Sequence, residues 1–124
     1  MAKILVVEDD EMLTDLTQQM LELADHTVVC AVNGADALAK VTVHHPDLIL
    51  MDIGMPEMDW LEATRRLKSD PATRPIPVIA LTAHASQTDR QQALRAGAED
   101  YEPKPVDFDR LLGKIRVLLQ GNGP

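Results

Sequence analysis

Five short apolar segments alternate along the chain with stretches in which apolar residues recur at helical spacing, and this alternation is what most limits the possible folds. The segments consist of consecutive aliphatic residues, which is typical of parallel strands covered on both faces. They are Ile4–Val7, Thr27–Val32, Leu48–Met51, Val78–Leu81 and the weaker Glu99–Glu102. The pattern predicts an α/β fold with a doubly wound, five-stranded parallel sheet and helices on both faces.

Signals for the starts and ends of helices support this reading. Acidic residues after the first strand are good caps for a following helix, Gly97 is a stop signal, and Asp107 is placed to cap the last helix. In the first helix, the apolar spacing falls on Leu13, Leu16, Met20 and Leu23. In the second helix, we expect the buried stripe to be Ala35, Leu38, Ala39 and Thr42. The last helix has the clearest stripe, formed by Phe108, Leu111, Leu112, Ile115, Leu118 and Leu119.

Length and composition predict one domain. The chain has 124 residues, which is within the usual size of a single domain. We expect that domain to span residues 1–120 and a short tail to span 121–124. No export leader or membrane-spanning segment is evident in the sequence, so we expect a cytoplasmic location. Cys30 lies in an apolar segment and is expected to be a reduced, buried thiol.

The net charge limits the kinds of partner. At pH 7 the formal net charge is -8, and like-charge repulsion disfavours nucleic acid and anionic membranes as partners. Basic protein surfaces and cations suit this charge better. We therefore expect neither nucleic acid nor membrane binding.

Polar residues stand where the predicted strands end. Glu8 and Asp9 follow the first strand, Asp52 the third, Thr82 the fourth and Lys104 the fifth. In an open parallel sheet, ligands bind beyond the carboxyl ends of the strands. In a purely structural interpretation, Glu8, Asp9 and Asp10 only cap a helix and Lys104 is a surface lysine. That interpretation does not explain why these residues all lie at strand ends.

If the first and third strands are neighbours in the sheet, Glu8, Asp9 and Asp52 share one site, and three carboxylates in one site need a cation or a proton. At about 5 Å and an effective dielectric of about 20, each pair repels by roughly 3 kcal/mol. Carboxylate, carbonyl and water oxygens suit Mg²⁺ or Mn²⁺, and the lack of cysteine or suitably placed histidine ligands argues against zinc. The sequence predicts a hard divalent cation here.

Four segments resemble the signature segments of response-regulator receiver domains of two-component signalling. They are Val7-Glu8-Asp9-Asp10, Asp52 with Met55-Pro56, Leu81-Thr82-Ala83, and Lys104-Pro105. They occur in the family's order, each at the end of the appropriate element, and the resemblance covers essentially the whole chain. It implies a flavodoxin-like fold with strand order 2-1-3-4-5, similar to the chemotaxis regulator of this family.

The resemblance also implies roles for the site residues. Asp52 is the expected phosphoacceptor, and Asp9 and the Gly54 backbone carbonyl are expected to bind magnesium together with Asp52. Glu8 is expected to orient the waters of the metal. Thr82 and Lys104 are expected to hold phosphoryl oxygens, Thr82 and Tyr101 to form a switch, and the Lys104-Pro105 bond to be cis. An ordinary edge-strand aromatic is the alternative interpretation of Tyr101.

The implied partners are proteins. A sensor histidine kinase or a histidine phosphotransfer protein would donate the phosphoryl group, and a downstream protein target would bind the switched surface. We expect a monomer or weak dimer that catalyses only its own phosphotransfer and dephosphorylation. A stand-alone regulator, a phosphorelay intermediate and the receiver of a hybrid kinase all remain open.

The chain departs from the family pattern at Trp60, where similar domains have glycine. A Trp that packs over the third helix explains this substitution, and an exposed Trp that docks a partner is the alternative. Gly54 and His84, two residues after Asp52 and Thr82, border the path of the hydrolytic water in similar receivers. They favour neither fast nor slow loss of the phosphoryl group.

Three other functions are alternatives to a phosphorylated receiver. A magnesium-dependent aspartyl phosphatase would need a second aspartate at the position of Gly54. A flavodoxin-like electron carrier would need a phosphate-binding loop where Glu8, Asp9 and Asp10 stand, and these carboxylates would repel the flavin phosphate. A phosphorylation-independent interaction module with the receiver fold is the third alternative.

Overall fold

The computed structural model of the chain describes residues 2–54, 57–82 and 87–121. Strands and helices alternate throughout. The strands are β1 Lys3–Val7, β2 Thr27–Ala31, β3 Leu48–Asp52, β4 Val78–Thr82 and β5 Asp100–Pro103. The helices are α1 Glu11–Leu23, α2 Gly34–His44, α3 Glu57–Ser69, α4 Gln87–Ala96 and α5 Phe108–Gly121.

All strand pairs are parallel, and the sheet order is β2-β1-β3-β4-β5. The predicted doubly wound α/β fold and the strand order implied by the resemblance are both confirmed. The chain begins at β1, places β2 on one side of it, and then crosses to the other side to form β3. The topological switch point therefore lies between β1 and β3. This crossing opens a crevice at the carboxyl ends of β1 and β3.

The core has two layers because side chains alternate between the faces of each strand. Val7, Met51 and Ala80 belong to the face covered by α2, α3 and α4. Val6 and Leu50 belong to the other face, which α1 and α5 cover. The stripe predicted on α5 is confirmed, since all six of its residues pack in or against this second cluster.

Helix caps follow the local sequence. The Asp10 carboxylate accepts from the Met12 and Leu13 N–H groups at 2.9 and 3.2 Å and so caps α1. Asn33 caps α2 through the Asp36 N–H at 2.8 Å. Asp107 caps α5 as predicted, accepting from the Arg110 N–H at 3.1 Å. Gly97 follows α4 with φ 113° and stops it, also as predicted.

The predicted stripe of α2 is confirmed only at Leu38, which is partly buried and packs against the core. Ala35, Ala39 and Thr42 are exposed, whereas Gly34, Ala37 and Val41 are buried. The alanines on several faces of this helix gave no basis for choosing one. In α1 the buried residues are Thr17 and Leu21, and Leu16 and Leu23 are exposed.

Two further expectations differ in detail from the structure. Cys30 is a free thiol but is only half-buried, because β2 is an edge strand. Helix α5 continues to Gly121, and the remainder of the predicted tail, 122–124, lies outside the described residues. In the described part of the chain, no helix is long and apolar enough to cross a membrane.

Candidate functional site

The carboxyl ends of the strands bring the polar residues of the sequence together. In the register of the sheet, Val7 pairs with Met51, Asp52 with Leu81, and Thr82 with Pro103. Glu8 and Lys104, the residues that directly follow β1 and β5, therefore reach the same edge of the sheet as Asp52 and Thr82. All of these residues were candidates from sequence.

Three carboxylates meet at this edge. Carboxylate oxygens of Glu8, Asp9 and Asp52 all lie within 4.8 Å of one another. Glu8 is 4% exposed and Asp52 is 2% exposed, while Asp9 is open to solvent. The arrangement places two buried carboxylates beside one accessible acidic group.

Asp52 is held by a cation and by a backbone amide. The Lys104 ammonium lies 3.0 Å from Asp52 Oδ1, and the Gly54 N–H donates to the same oxygen at 2.8 Å. A Cβ atom added at Gly54 would lie 3.2 Å from Oδ1, so the small residue leaves room beside the carboxylate. Positive charge and an N–H dipole thus converge on one oxygen of Asp52.

Charge coupling shifts the pKa values of the neighbouring groups. Burial, together with a hydrogen bond to Asp52, raises the pKa of the Glu8 carboxyl to about 7. Partial burial acts to lower the pKa of Lys104, but hydrogen bonds and charge attraction from Asp52 and Glu8 outweigh it, so the net pKa is raised. Lys104 therefore remains charged, and the Glu8 carboxyl holds its proton below about pH 7.

Thr82 and Tyr101 lie on adjoining strands next to this cluster. Thr82 is buried, and its backbone carbonyl accepts from the Lys104 N–H at 2.7 Å. Tyr101 is half-buried, with its ring centroid 4.9 Å from Arg90 Cζ and 5.1 Å from Lys114 Nζ. The Lys104-Pro105 peptide bond is cis. His84, Met55, Pro56 and Ala83 lie outside the described residues.

Trp60 is a core residue. It is 6% exposed and packs in the cluster beneath α3. The interpretation as a packing residue is confirmed, and the alternative of an exposed docking residue is wrong. A bulky side chain is tolerated here because Trp60 lies within α3, with its side chain directed at the sheet.

A buried charge cluster beside the site was not predicted from the sequence. Glu102 is fully buried and receives hydrogen bonds from Arg110 and Lys114 of α5. From sequence, Glu102 was interpreted only as the last residue of the weak fifth strand. Two basic residues four positions apart on α5 were the signal that could have found it, since they share one helix face.

Comparison with known proteins agrees with this geometry. The family model of the response regulator receiver domain matches residues 4–116. The chain is 42% identical to the protein PilH of Pseudomonas aeruginosa, over 98% of this chain and 100% of PilH. It is 39% identical to the polar-differentiation response regulator DivK of Brucella ovis, over 94% of each chain.

A solved structure adds information on the metal. The receiver domain of a sensor histidine kinase from Pseudomonas aeruginosa is 33% identical, with a TM-score of 0.88 over 96% of this chain and 98% of that one. That structure has a magnesium ion coordinated in its active-site cleft. The chain belongs to the response regulator receiver family and is a receiver domain of two-component signalling.

Proposed function

We propose that the chain is a phosphorylation-switched signalling receiver whose acceptor is Asp52. The single observation that carries this proposal is the state of Asp52, a carboxylate that is 2% exposed and has the Lys104 ammonium 3.0 Å from its Oδ1. Asp52 shares its edge of the sheet with Glu8 and Asp9, an arrangement that suits the transfer of a phosphoryl group.

The step is the attack of an Asp52 carboxylate oxygen on the phosphorus of a phosphohistidine. A P–O bond forms as the P–N bond breaks, and the electron pair of that bond stays on the imidazole nitrogen, which takes up a proton. The product is an acyl phosphate on Asp52. Lys104 and the Thr82 hydroxyl hydrogen-bond the phosphoryl oxygens. Water later attacks the phosphorus, which releases inorganic phosphate and restores the carboxylate.

The donor set fits Mg²⁺, with Mn²⁺ as a second ion of similar preference. The carboxylates of the cluster offer only oxygen ligands, which Mg²⁺ prefers. Asp9, Asp52 and the Gly54 carbonyl would hold the ion, and Glu8 would orient its waters. When bound, the ion supplies neutralisation of the transferring oxygens.

Phosphorylation acts as a switch because it adds local charge next to Thr82 and Tyr101. Thr82 moves toward the phosphoryl group, and Tyr101 follows it inward. The surface around β5 then differs between the two states, and a downstream protein reads the difference. The chain acts only on its own acyl phosphate and does not turn over an external substrate. We place this switch in the cytoplasm.

A surface for the phosphodonor adjoins the site. Met12, Leu16 and Leu23 are 83%, 46% and 79% exposed, and their spacing places them on one face of α1. Helix α1 contains three acidic residues and no Lys or Arg, so a second copy of α1 would be repelled. We propose that a histidine kinase or phosphotransfer protein docks here with an apolar surface flanked by basic residues.

Acetyl phosphate tests the proposal without a cognate kinase. We expect the intact mass to rise by one phosphoryl group in Mg²⁺, and we expect no rise with EDTA or in Asp52→Asn. A folded wild-type chain that gains nothing at short or long times would contradict the proposal. That outcome would favour the phosphorylation-independent interaction module instead.

A further inference from the structure

The charge cluster on β5 has no role in the phosphotransfer step described above. The carboxylate of Glu102, which is 0% exposed, accepts from Arg110 Nε at 3.1 and 3.0 Å and from Arg110 Nη2 at 2.6 Å. Lys114 Nζ donates to the same carboxylate at 2.9 Å. A fully buried carboxylate with two cationic partners is held in one geometry, whereas an apolar side chain at this position could slide against its neighbours.

Lys114 extends this cluster to Tyr101. Besides Glu102, its ammonium donates to the Tyr101 carbonyl at 2.5 Å and lies 5.1 Å from the centre of the Tyr101 ring. The partners of β5 on α5 are therefore two cations one helical turn apart, which fix the height and the rotation of the strand against the helix.

The geometry of β5 connects this cluster to the site. Lys104 comes two residues after Glu102, and its N–H is bonded to the Thr82 carbonyl at 2.7 Å. Strand β5 is four residues long and lies at the edge of the sheet, so only β4 pairs with it. The contacts of Glu102 with α5 restrain the strand from the face of the sheet that α1 and α5 cover.

We propose that Glu102 is a positioning residue, which uses Arg110 and Lys114 to fix the end of β5 and so holds the Lys104 ammonium at Asp52. This proposal rests on the proposed function for its kinetic consequence, but its geometric content is independent of phosphotransfer. It also links α5 to the phosphorylation site, so a partner that shifts α5 would change the phosphorylation rate.

A double-mutant cycle tests the proposal. Glu102→Leu replaces the carboxylate with an apolar side chain, which suits the buried position. We expect it to lower the rate of phosphorylation by acetyl phosphate by at least about threefold, since small displacements of aligning groups cost large factors in rate. In a Lys104→Met background, Glu102→Leu should lower the rate no further. An unchanged rate, or an equal loss in both backgrounds, overturns the proposal.

A second variant covers the case in which Glu102→Leu does not fold. Lys114→Met leaves the Arg110 pair with Glu102 in place and should give a smaller loss of rate in the same direction. Glu62→Gln, which breaks only an exposed ion pair with Arg66 on α3, is the matched control and should change nothing. No loss of rate in Lys114→Met, or an equal loss in the control, counts against the proposal.

Structure determination separates this proposal from the proposed function. In a crystal structure of Glu102→Leu, or of Lys114→Met if the first does not fold, we expect the 3.0 Å contact between Lys104 Nζ and Asp52 Oδ1 to be lost. Retention of the contact overturns the positioning role even if the wild-type chain is phosphorylated. Loss of the contact supports it even if the wild-type chain takes no phosphoryl group.

Discussion

The Lys104 ammonium bridges two carboxylates, lying 3.0 Å from Asp52 Oδ1 and 3.4 Å from Glu8 Oε1. Lys104 follows β5, Asp52 ends β3 and Glu8 follows β1, so this contact closes the site across three strands of the sheet. These two contacts fix the ammonium beside the carboxylate that we propose as the acceptor.

Replacement of Lys104 should slow phosphorylation. We expect Lys104→Met to lower the rate with acetyl phosphate by about 100-fold, the usual cost of removing one group that stabilises transition-state charge. Lys40→Met, which removes a lysine on α2 far from the site, is the control and should retain the wild-type rate. An equal loss in both variants would mean that the effect is not specific to the site.

The metal-free chain should become less stable as the pH rises from about 4.5 to about 7. The pKa of Glu8 is 4.5 ordinarily and about 7 in the fold, so in this window the folded chain holds a proton that the unfolded chain has released. Raising the pH therefore favours unfolding. The change amounts to about 3 kcal/mol, from about 1.4 kcal/mol per pKa unit.

Urea unfolding in EDTA at several pH values measures this effect. Glu8→Gln cannot titrate, and its stability should vary less over the same window. The free energy of unfolding of the wild-type chain should fall between pH 5 and 7. If it rises over this range, the pKa of Glu8 is not raised.

Trp60 should matter for stability and not for transfer. Because it is 6% exposed in the core, Trp60→Ala should lower the free energy of unfolding by about 3 to 5 kcal/mol. The phosphorylation rate of the folded fraction should stay within a factor of about two, since Trp60 belongs to the apolar core cluster and carries no ionisable group. A loss of less than about 1 kcal/mol would contradict the core assignment.

The exposed face of α1 should affect transfer from a protein donor only. We expect Leu23→Ser to lower phosphotransfer from a histidine kinase or phosphotransfer protein that phosphorylates the wild-type chain by about tenfold, a loss typical of an interface contact. The rate with acetyl phosphate should not change. Val43→Ser, at a residue of α2 that is 71% exposed, is the control. If the wild-type protein, Leu23→Ser and Val43→Ser are phosphorylated by the protein donor at equal rates, α1 is not part of the surface that binds the donor.

The sheet and its polar edge could be predicted from sequence because each depends on local signals. Unbroken aliphatic runs mark strands that are buried on both faces, and the residues that follow them must lie at one edge. Glu8, Asp52 and Thr82 came together for that reason. The order of the strands could not be obtained in this way, since periodicity does not say which strands pair, and it came from the family resemblance.

Other features depended on packing that the sequence does not encode locally. The buried face of α2 was missed because alanines lie on both its exposed and its buried sides, and the packing of Ala37 and Val41 in the core decides between them. Glu102 was missed because its burial depends on Arg110 and Lys114, which come eight and twelve positions later. A charged residue in a strand becomes interpretable only when its partners are in view.

The central claim is that Asp52 accepts the phosphoryl group, and borohydride trapping tests it most directly. After incubation with acetyl phosphate and Mg²⁺, reduction of an acyl phosphate on aspartate gives homoserine, which peptide mass spectrometry can locate. We predict homoserine at position 52 and unmodified Glu8 and Asp9. Homoserine at another aspartate, or none in a folded chain shown to be exposed to the donor, would contradict this account of the site.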